Sequence, residues 1–260
     1  PMEPNHKLGL GEEDENVDQG MYQRLVGRLI YLSHTRPDIA FPVSVVSQFM
    51  HSPKNCHLGA VYRILRYLKG TPGKGLFFGK NEKKGVEIYT DADWAGSTVD
   101  RRSTSGYCTQ VWGNLVTWRS KKQSVVARSS AEAEFRAVAQ GICEGMWLTR
   151  LLKELGMTYE GPMKLYCDNK AAINITHNPV HHDRTKHVEI DRHFIKEKIE
   201  NGSVCMVYIP TKQQIADLLT KSLSKYGFME LSNKLGLINI YAQLEGECWK
   251  SPKIKERYCG

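Results

Sequence analysis

The stretch VEIYTDADWAG, residues 86–96, closes an alternating apolar run with two aspartates two positions apart. In a strand, residues i and i+2 share a face, so Asp91 and Asp93 are set side by side at a strand end, where like charges repel. A fold tolerates such a pair only where something offsets the repulsion. STSGYCTQVWGNLVTWRS reads as two β-rich runs joined at Gly113-Asn114 as a hairpin. SSAEAEFRAVAQGICEGMWLTRLLKELG reads as one long helix, with Ser129 and Glu132 in a capping box, Ser130 an alternative cap, and Gly156 suited to its end. MKLYCD is a short buried-type strand ending in Asp168, KAAINITHN a short helix, HVEIDRHFIKEKIENG another helix, SVCMVYIP a fifth strand, and QQIADLLTKSLSK a last helix. Three antiparallel strands, helix, strand, helices, strand, helix predicts an α/β fold with a mixed five-stranded sheet flanked by helices.

Four carboxylates stand where these strands end or helices begin: Asp91, Glu134, Asp168 and Asp217. Open α/β sheets place their sites at the carboxyl ends of strands, so Asp91 and Asp168 are candidates for one shared site. Each acid alone also has a plain explanation. Glu134 and Asp217 are favourable near helix N-termini, and Asp168-Asn169 is ordinary turn chemistry. The repulsion between clustered acids disappears if they surround a divalent cation, because oxygen ligands are what Mg²⁺ demands. A pair of such ions activates water and stabilises a leaving oxygen in phosphodiester hydrolysis.

Upstream the texture differs. Residues 1–20 form an acidic, polar lead-in, and from Met21 to about Leu68 apolar residues recur at spacings of three and four, broken at RPD, as three helices in series. GTPGKG at 70–75 is a break, and the domain boundary is placed near it. At 41% hydrophobic and 25% charged, the 260 residues have ordinary globular composition. A formal net charge of +8 fits an acidic partner such as nucleic acid, or simply a soluble basic surface. Seven cysteines are scattered without a CxxC pair, as expected of reduced thiols inside a cell. No apolar run reaches membrane-spanning length, so no membrane partner is expected, and a start without Met fits a piece of a longer protein.

Together these motifs carry a resemblance. YTDAD, SSAEAEFRAV, LYCDNKAAI and QQIADLLTK, in that order, resemble the ribonuclease H fold. LVGRLIYLSHTRPDIAF, ILRYLKGT, TDADWAG, RRSTSGY, SKKQSVVARSSAEAE and RTKHVEIDRHFI are similar to the C-terminal part of Pol polyproteins of copia-type long-terminal-repeat retrotransposons, over about residues 21–238. The resemblance implies that residues 21–75 are a helical thumb or connection remnant of a reverse transcriptase and residues 80–226 a ribonuclease H-like domain, between the flexible lead-in (1–20) and a C-terminal tail (227–260) that composition suggests. It implies a metal-dependent endonuclease that cuts the RNA strand of an RNA/DNA hybrid, with two Mg²⁺ ions, or Mn²⁺ in their place, as cofactors. The catalytic and metal-holding residues it implies are Asp91, Glu134, Asp168 and Asp217, with Asp91 bridging the two ions and Asp217 holding the more labile one. Asp93 is a supporting or turn residue. The expected partners are the hybrid and the rest of the polyprotein, meaning the polymerase palm and fingers and the integrase. The expected location is intracellular, in a cytoplasmic virus-like particle or the nucleus. A catalytically inactive nucleic-acid-binding relic is the alternative.

Two departures from the family stand out. The loop TKQQIA before Asp217 has no histidine, where many ribonucleases H carry one, and the polymerase's Asp-Asp motif is absent, so independent polymerisation is not expected. Candidate contacts to a nucleic-acid backbone are Arg101, Arg102, Ser103, Lys121 and Lys122, which flank the sheet edge, with Asn169 beside Asp168. Arg184, Lys186 and His187 of the RTKH motif join them through the resemblance. The cluster of His177, His181, His182, His187 and His193 lacks zinc-ligand spacing, and packing or capping is the preferred reading. Trp94, Trp112, Trp118 and Trp147 are expected in the core.

Overall fold

The computed structural model describes residues 2, 8–11, 13–81, 84–177 and 189–241. Helices α1 (Gln19–Ser33), α2 (Ala40–Ser47) and α3 (Asn55–Lys69) form the first unit. Asp18 caps α1 by accepting from the Met21 amide, and RPD becomes a 3-10 turn over Pro37–Ile39. The apolar stripes close on Tyr22, Val26, Leu29, Ile39, Val43, Val46, Val61 and Ile64.

The five-stranded sheet holds β2 (Val86–Asp93), β3 (Thr104–Val111), β4 (Asn114–Lys122), β5 (Met163–Cys167) and β6 (Val204–Tyr208), while β1 (Lys74–Leu76) lies apart. Its order is β4-β3-β2-β5-β6. β2–β3 and β3–β4 pair antiparallel, β2–β5 and β5–β6 parallel, so the sheet is mixed as expected. The hairpin turns through Trp112 and Gly113, both at positive φ (51° and 73°), one residue earlier than the sequence indicated. Two positive φ values give the backbone twist of a type I′ turn, which matches the twist of the flanking strands.

One face of the sheet is covered by α4 (Ser130–Glu154) and by α6 (Glu189–Glu200), whose Ile195 joins Ile88, Phe135, Val138, Ile142 and Leu165 in the main core. Ser129 caps α4 by accepting from the Glu132 amide at 3.2 Å, and the Glu132 carboxylate takes the Arg128 amide at 2.8 Å. At its other end Gly156 has a φ of 72°, and the Met157 amide reaches back to the Leu152 carbonyl at 2.8 Å. Glycines set how closely α4 approaches β2. A Cβ on Gly141 would lie 2.5 Å from Thr90, and one on Gly145 would lie 2.4 Å from Ile88.

The opposite face is covered differently from expectation. The segment 213–225, read as one last helix, is a 3-10 turn over Ile215–Leu219, followed by a separate helix α7 (Lys225–Lys234). Every residue from Gln214 to Thr220 is buried, so there is no exposed face for an amphipathic helix to present. The buried Gln214 side chain pins the turn by donating to the carbonyls of Thr90 (2.9 Å) and Tyr166 (3.4 Å), which spans β2 and β5. Nor do residues 227–241 trail as a tail. Leu231, Leu235 and Leu237 are buried, and β7 (Leu237–Asn239) pairs antiparallel with β1.

The helical unit seals this same face. Ala40 packs with Cys108, Leu115, Ile215, Leu218, Leu219, Leu231 and Leu235 in one core. The Trp118 indole donates to the Ser33 carbonyl at 2.9 Å, and the hydroxyls of Ser44 and Ser120 are 3.0 Å apart. Boundaries drawn at 75 and 226 therefore cut through a shared core.

Candidate functional site

The four acids converge at one end of the sheet. In the parallel pair β2–β5, Tyr89 lies level with Tyr166, with rings stacked 4.6 Å apart, so Asp91 and Asp168 come level two residues further on. Opposite Asp91 in β3 is Gly106, where a Cβ would lie 2.6 Å from the Thr220 methyl and 2.8 Å from the Leu219 Cβ. That missing side chain lets the buried turn lie down on the sheet and bring Asp217 to Asp91. Glu134 enters from the first turns of α4, held over the strand end by the close α4–β2 contact. Oxygens of Asp91, Asp168 and Asp217 lie within 4.8 Å of one another, and so do ligand atoms of Glu134, Cys167 and Asp168. Asp168 belongs to both groups, whereas the bridging place implied by the family was given to Asp91.

Asp91, Glu134 and Asp217 are buried and Asp168 is half-buried. Burial pushes the Glu134 carboxyl up to about 10, with Asp91 and Asp168 adding to the rise. Asp217 is pushed up to about 8 by burial, then by Asp91. Among the described residues, Oε2 of Glu134 is buried without a hydrogen-bond partner. An enclosed carboxylate oxygen left unanswered beside other carboxylates fits a divalent-cation seat and is costly without one.

Sequence reasoning missed the side chains that hold these acids. Thr220, fully buried, donates its hydroxyl to Oδ2 of Asp91. Thr211 donates to Oδ2 of Asp168 at 2.7 Å. Lys221 places its ammonium 3.0 Å from Oδ1 of Asp217 and 3.4 Å from both oxygens of Asp91. Burial pulls the Lys221 pKa down, but Asp91 and Asp217 outweigh it and hold it above the ordinary lysine value. All three residues lie close to Asp217 in sequence, yet hydroxyls and one lysine carry no periodic signal by which to find them.

The basic candidates lie at the same sheet end, because Asp93 pairs with Thr104 and Thr104 with Lys122. Arg101, Arg102 and Lys121 are exposed, with Arg101 at a φ of 57°. Lys122 is partly drawn away, 2.8 Å from Asp100 and 2.9 Å from the side-chain carbonyl oxygen of Gln48. Ser103 is buried and accepts from the Ala95 amide at 3.1 Å, and Asn169 caps the start of α5 (Lys170–His177) through the Ala172 amide at 3.0 Å. Both therefore have structural work that does not involve a ligand. The Asp93 carboxylate folds back against Gly96, where it occupies the space a Cβ would need. Arg184, Lys186 and His187 lie outside the described residues, as do His181 and His182. Trp94 and Trp147 are each 51% exposed, against the expectation of core packing. No helix among the described residues is long and apolar enough to cross a membrane.

No family model matches the chain. It is similar to the retrovirus-related Pol polyprotein from transposon RE1 of Arabidopsis thaliana, at 44% identity over 92% of this chain and 16% of the relative. It is also similar to the Pol polyprotein from transposon TNT 1-94 of Nicotiana tabacum, at 41% identity over 86% of this chain and 17% of that protein. Among solved structures, LC11-RNase H1 in complex with RNA/DNA hybrid matches 52% of this chain and 93% of its own, at 16% identity and a TM-score of 0.39.

Proposed function

The chain belongs to the retrovirus-related Pol polyproteins of copia-type transposons, spanning 16% of such a relative's length, and on that premise we propose that its sheet domain is a metal-dependent endonuclease cutting the RNA strand of RNA/DNA hybrids. The observation that carries this reading is the meeting of Asp91, Glu134, Asp168 and Asp217 at one sheet end, with a buried Glu134 oxygen left unanswered. Gathering four carboxyl groups from four separate elements carries a burial cost that a bound divalent cation would offset.

In this reading Asp91, Asp168 and Asp217 would hold one divalent cation, and Glu134 with Asp168 would hold a second. The chemistry a divalent ion would supply there is activation of a water toward phosphorus and stabilisation of charge on the departing ribose 3′ oxygen. The chain's own contribution is positioning. Thr220 fixes the rotamer of Asp91, Thr211 that of Asp168, and Gln214 ties the turn carrying Asp217 to both central strands. Arg101, Arg102, Lys121 and Lys122 border the acids and supply backbone-phosphate contacts that orient a duplex without reading its bases. Discrimination for RNA would rest on 2′-hydroxyl contacts and groove shape. The polymerase and integrase parts of such a polyprotein are its proposed partners.

The test is incubation of the chain with a labelled RNA/DNA hybrid, in Mg²⁺ and in EDTA, beside Asp168→Asn. The expected result is cleavage of the RNA strand alone, dependent on Mg²⁺ and lost in the variant. Hybrid binding without cleavage in either Mg²⁺ or Mn²⁺ would replace the nuclease with a binding relic.

A further inference from the structure

Lys221 is the one cation that the described residues place among the acids, and its setting differs from that of the carboxylates it touches. The Asp91 and Asp217 side chains are 2% and 7% exposed, whereas that of Lys221 is 36% exposed. The carboxylates are fixed. Asp91 is held by Thr220, and Asp217 sits on a buried turn pinned by Gln214. Lys221 ends a flexible four-carbon stem that reaches solvent, and its compact ammonium, unlike a guanidinium fork, makes no planar two-pronged match that would lock it in place. It lies 3.0 Å from Asp217 and 3.4 Å from Asp91, two of the three acids whose oxygens also come together with Asp168.

We propose that Lys221 is a built-in competitor for the cation seat: its ammonium neutralises Asp91 and Asp217 while no divalent ion is bound, and leaves those oxygens when one binds. Lys221 thereby sets the Mg²⁺ concentration at which the site fills. This rests on the cation-seat part of the proposed function, not on cleavage. Two positive groups cannot take the same two carboxylates without mutual repulsion, so the movable one gives way. Linkage makes the competition reciprocal: whatever stability the ammonium gives the empty site is subtracted from Mg²⁺ affinity.

Calorimetric titration of the full chain with Mg²⁺, without nucleic acid, tests this on Lys221→Met beside melting in EDTA. The variant is expected to bind Mg²⁺ at least about fivefold more tightly, the lower end of ordinary coupling between sites, while melting at a lower temperature in EDTA. Those opposite signs separate competition from a purely structural role, which would lower stability without tightening Mg²⁺. Unchanged or weaker Mg²⁺ binding would overturn the proposal, including the case in which Lys221 serves only a substrate phosphate and its loss raises KM alone. Should Lys221→Met fail to fold, the side-chain NMR signal of Lys221 in the native sequence, assigned through Lys221→Arg, gives the answer. It must shift as Mg²⁺ is added, and an unmoved signal in a chain that binds Mg²⁺ overturns the proposal. A chain that binds Mg²⁺ competitively but cuts nothing sinks the nuclease reading alone. One that cuts hybrid with Mg²⁺ affinity unchanged in Lys221→Met sinks this inference alone.

Discussion

Two buried assemblies of charge lie in this molecule, and they are built on opposite plans. In the helical unit, Arg36 grips both oxygens of Asp38 at 2.9 and 2.7 Å, the Tyr67 hydroxyl adds a bond at 2.5 Å, and the Thr71 carbonyl takes a further guanidinium proton at 3.2 Å. One charge answers one charge, and the geometry is complete. At the sheet end, among the described residues, four carboxyl groups face a single ammonium, two of them are pushed far above the ordinary carboxylate range, and a buried Glu134 oxygen has no hydrogen-bond partner. The first arrangement locks TRPDIAF to the end of α3. The second leaves a deficit that a cation from outside would fill under the proposed function, and that contrast is between buried charge answered within the fold and buried charge left open.

Removing one acid from each assembly is the hardest test of the contrast, because the outcomes have opposite signs. Glu134→Gln is expected to lower Mg²⁺-dependent cleavage by at least about a thousandfold, since each tenfold corresponds to about 1.4 kcal/mol and a bound ion supplies several. The same variant should melt higher than the native chain in EDTA at pH 8, because the folded chain holds the Glu134 carboxyl protonated there, with its pKa at about 10, while the unfolded chain ionises it, a cost that the amide does not carry. Asp38→Ala should do the reverse, losing about 3 to 5 kcal/mol in denaturant unfolding by stranding a buried guanidinium. If both variants were destabilised alike, the two clusters would not differ in kind.

Smaller effects sharpen the picture. Thr220→Val, which removes the hydroxyl that holds Asp91, should weaken Mg²⁺ affinity or cleavage by about 10- to 100-fold, with little loss of fold. The pH dependence of the metal-free chain follows from the raised acids. Asp217 has an ordinary value of 3.8 and a folded value of about 8. A group raised in this way contributes fully below its unfolded value, and that contribution is lost as pH climbs toward the folded one. Melting temperature in EDTA should therefore fall between pH 5 and pH 8, and Glu134→Gln should flatten that slope. A melting temperature that rises across the window would contradict the assignment of direction.

Much of this was legible in the chain itself. The alternation of Val86, Ile88 and Thr90 marked β2, Ser129 and Gly156 bracketed α4, and the four acids singled out along these elements are the ones the fold gathers at one sheet end. What was illegible has physical causes. Over a segment as short as Ile215–Leu219, apolar spacing does not tell a 3-10 turn from an α-helix, and burial on all sides removes the polar face that would decide. Gln214 and Thr220 carry no hydrophobic signal, though both are fully buried, because what buries them is hydrogen bonding to partners distant in sequence, such as Thr90 and Asp91. The shared core of Ala40 with Leu218 and Leu231 joins residues that no local pattern relates.

Whether the acid cluster takes divalent cations decides between a nuclease site and an idle group of carboxylates, and thermal melting of the full chain at pH 8 in Mg²⁺ against EDTA asks that directly. Mg²⁺ at a hundred times its dissociation constant should stabilise the native chain by about 2.7 kcal/mol and leave Asp91→Asn almost unmoved. Identical melting of the native chain in Mg²⁺ and EDTA, or an equal gain in Asp91→Asn, would mean that the carboxylates are not a cation seat.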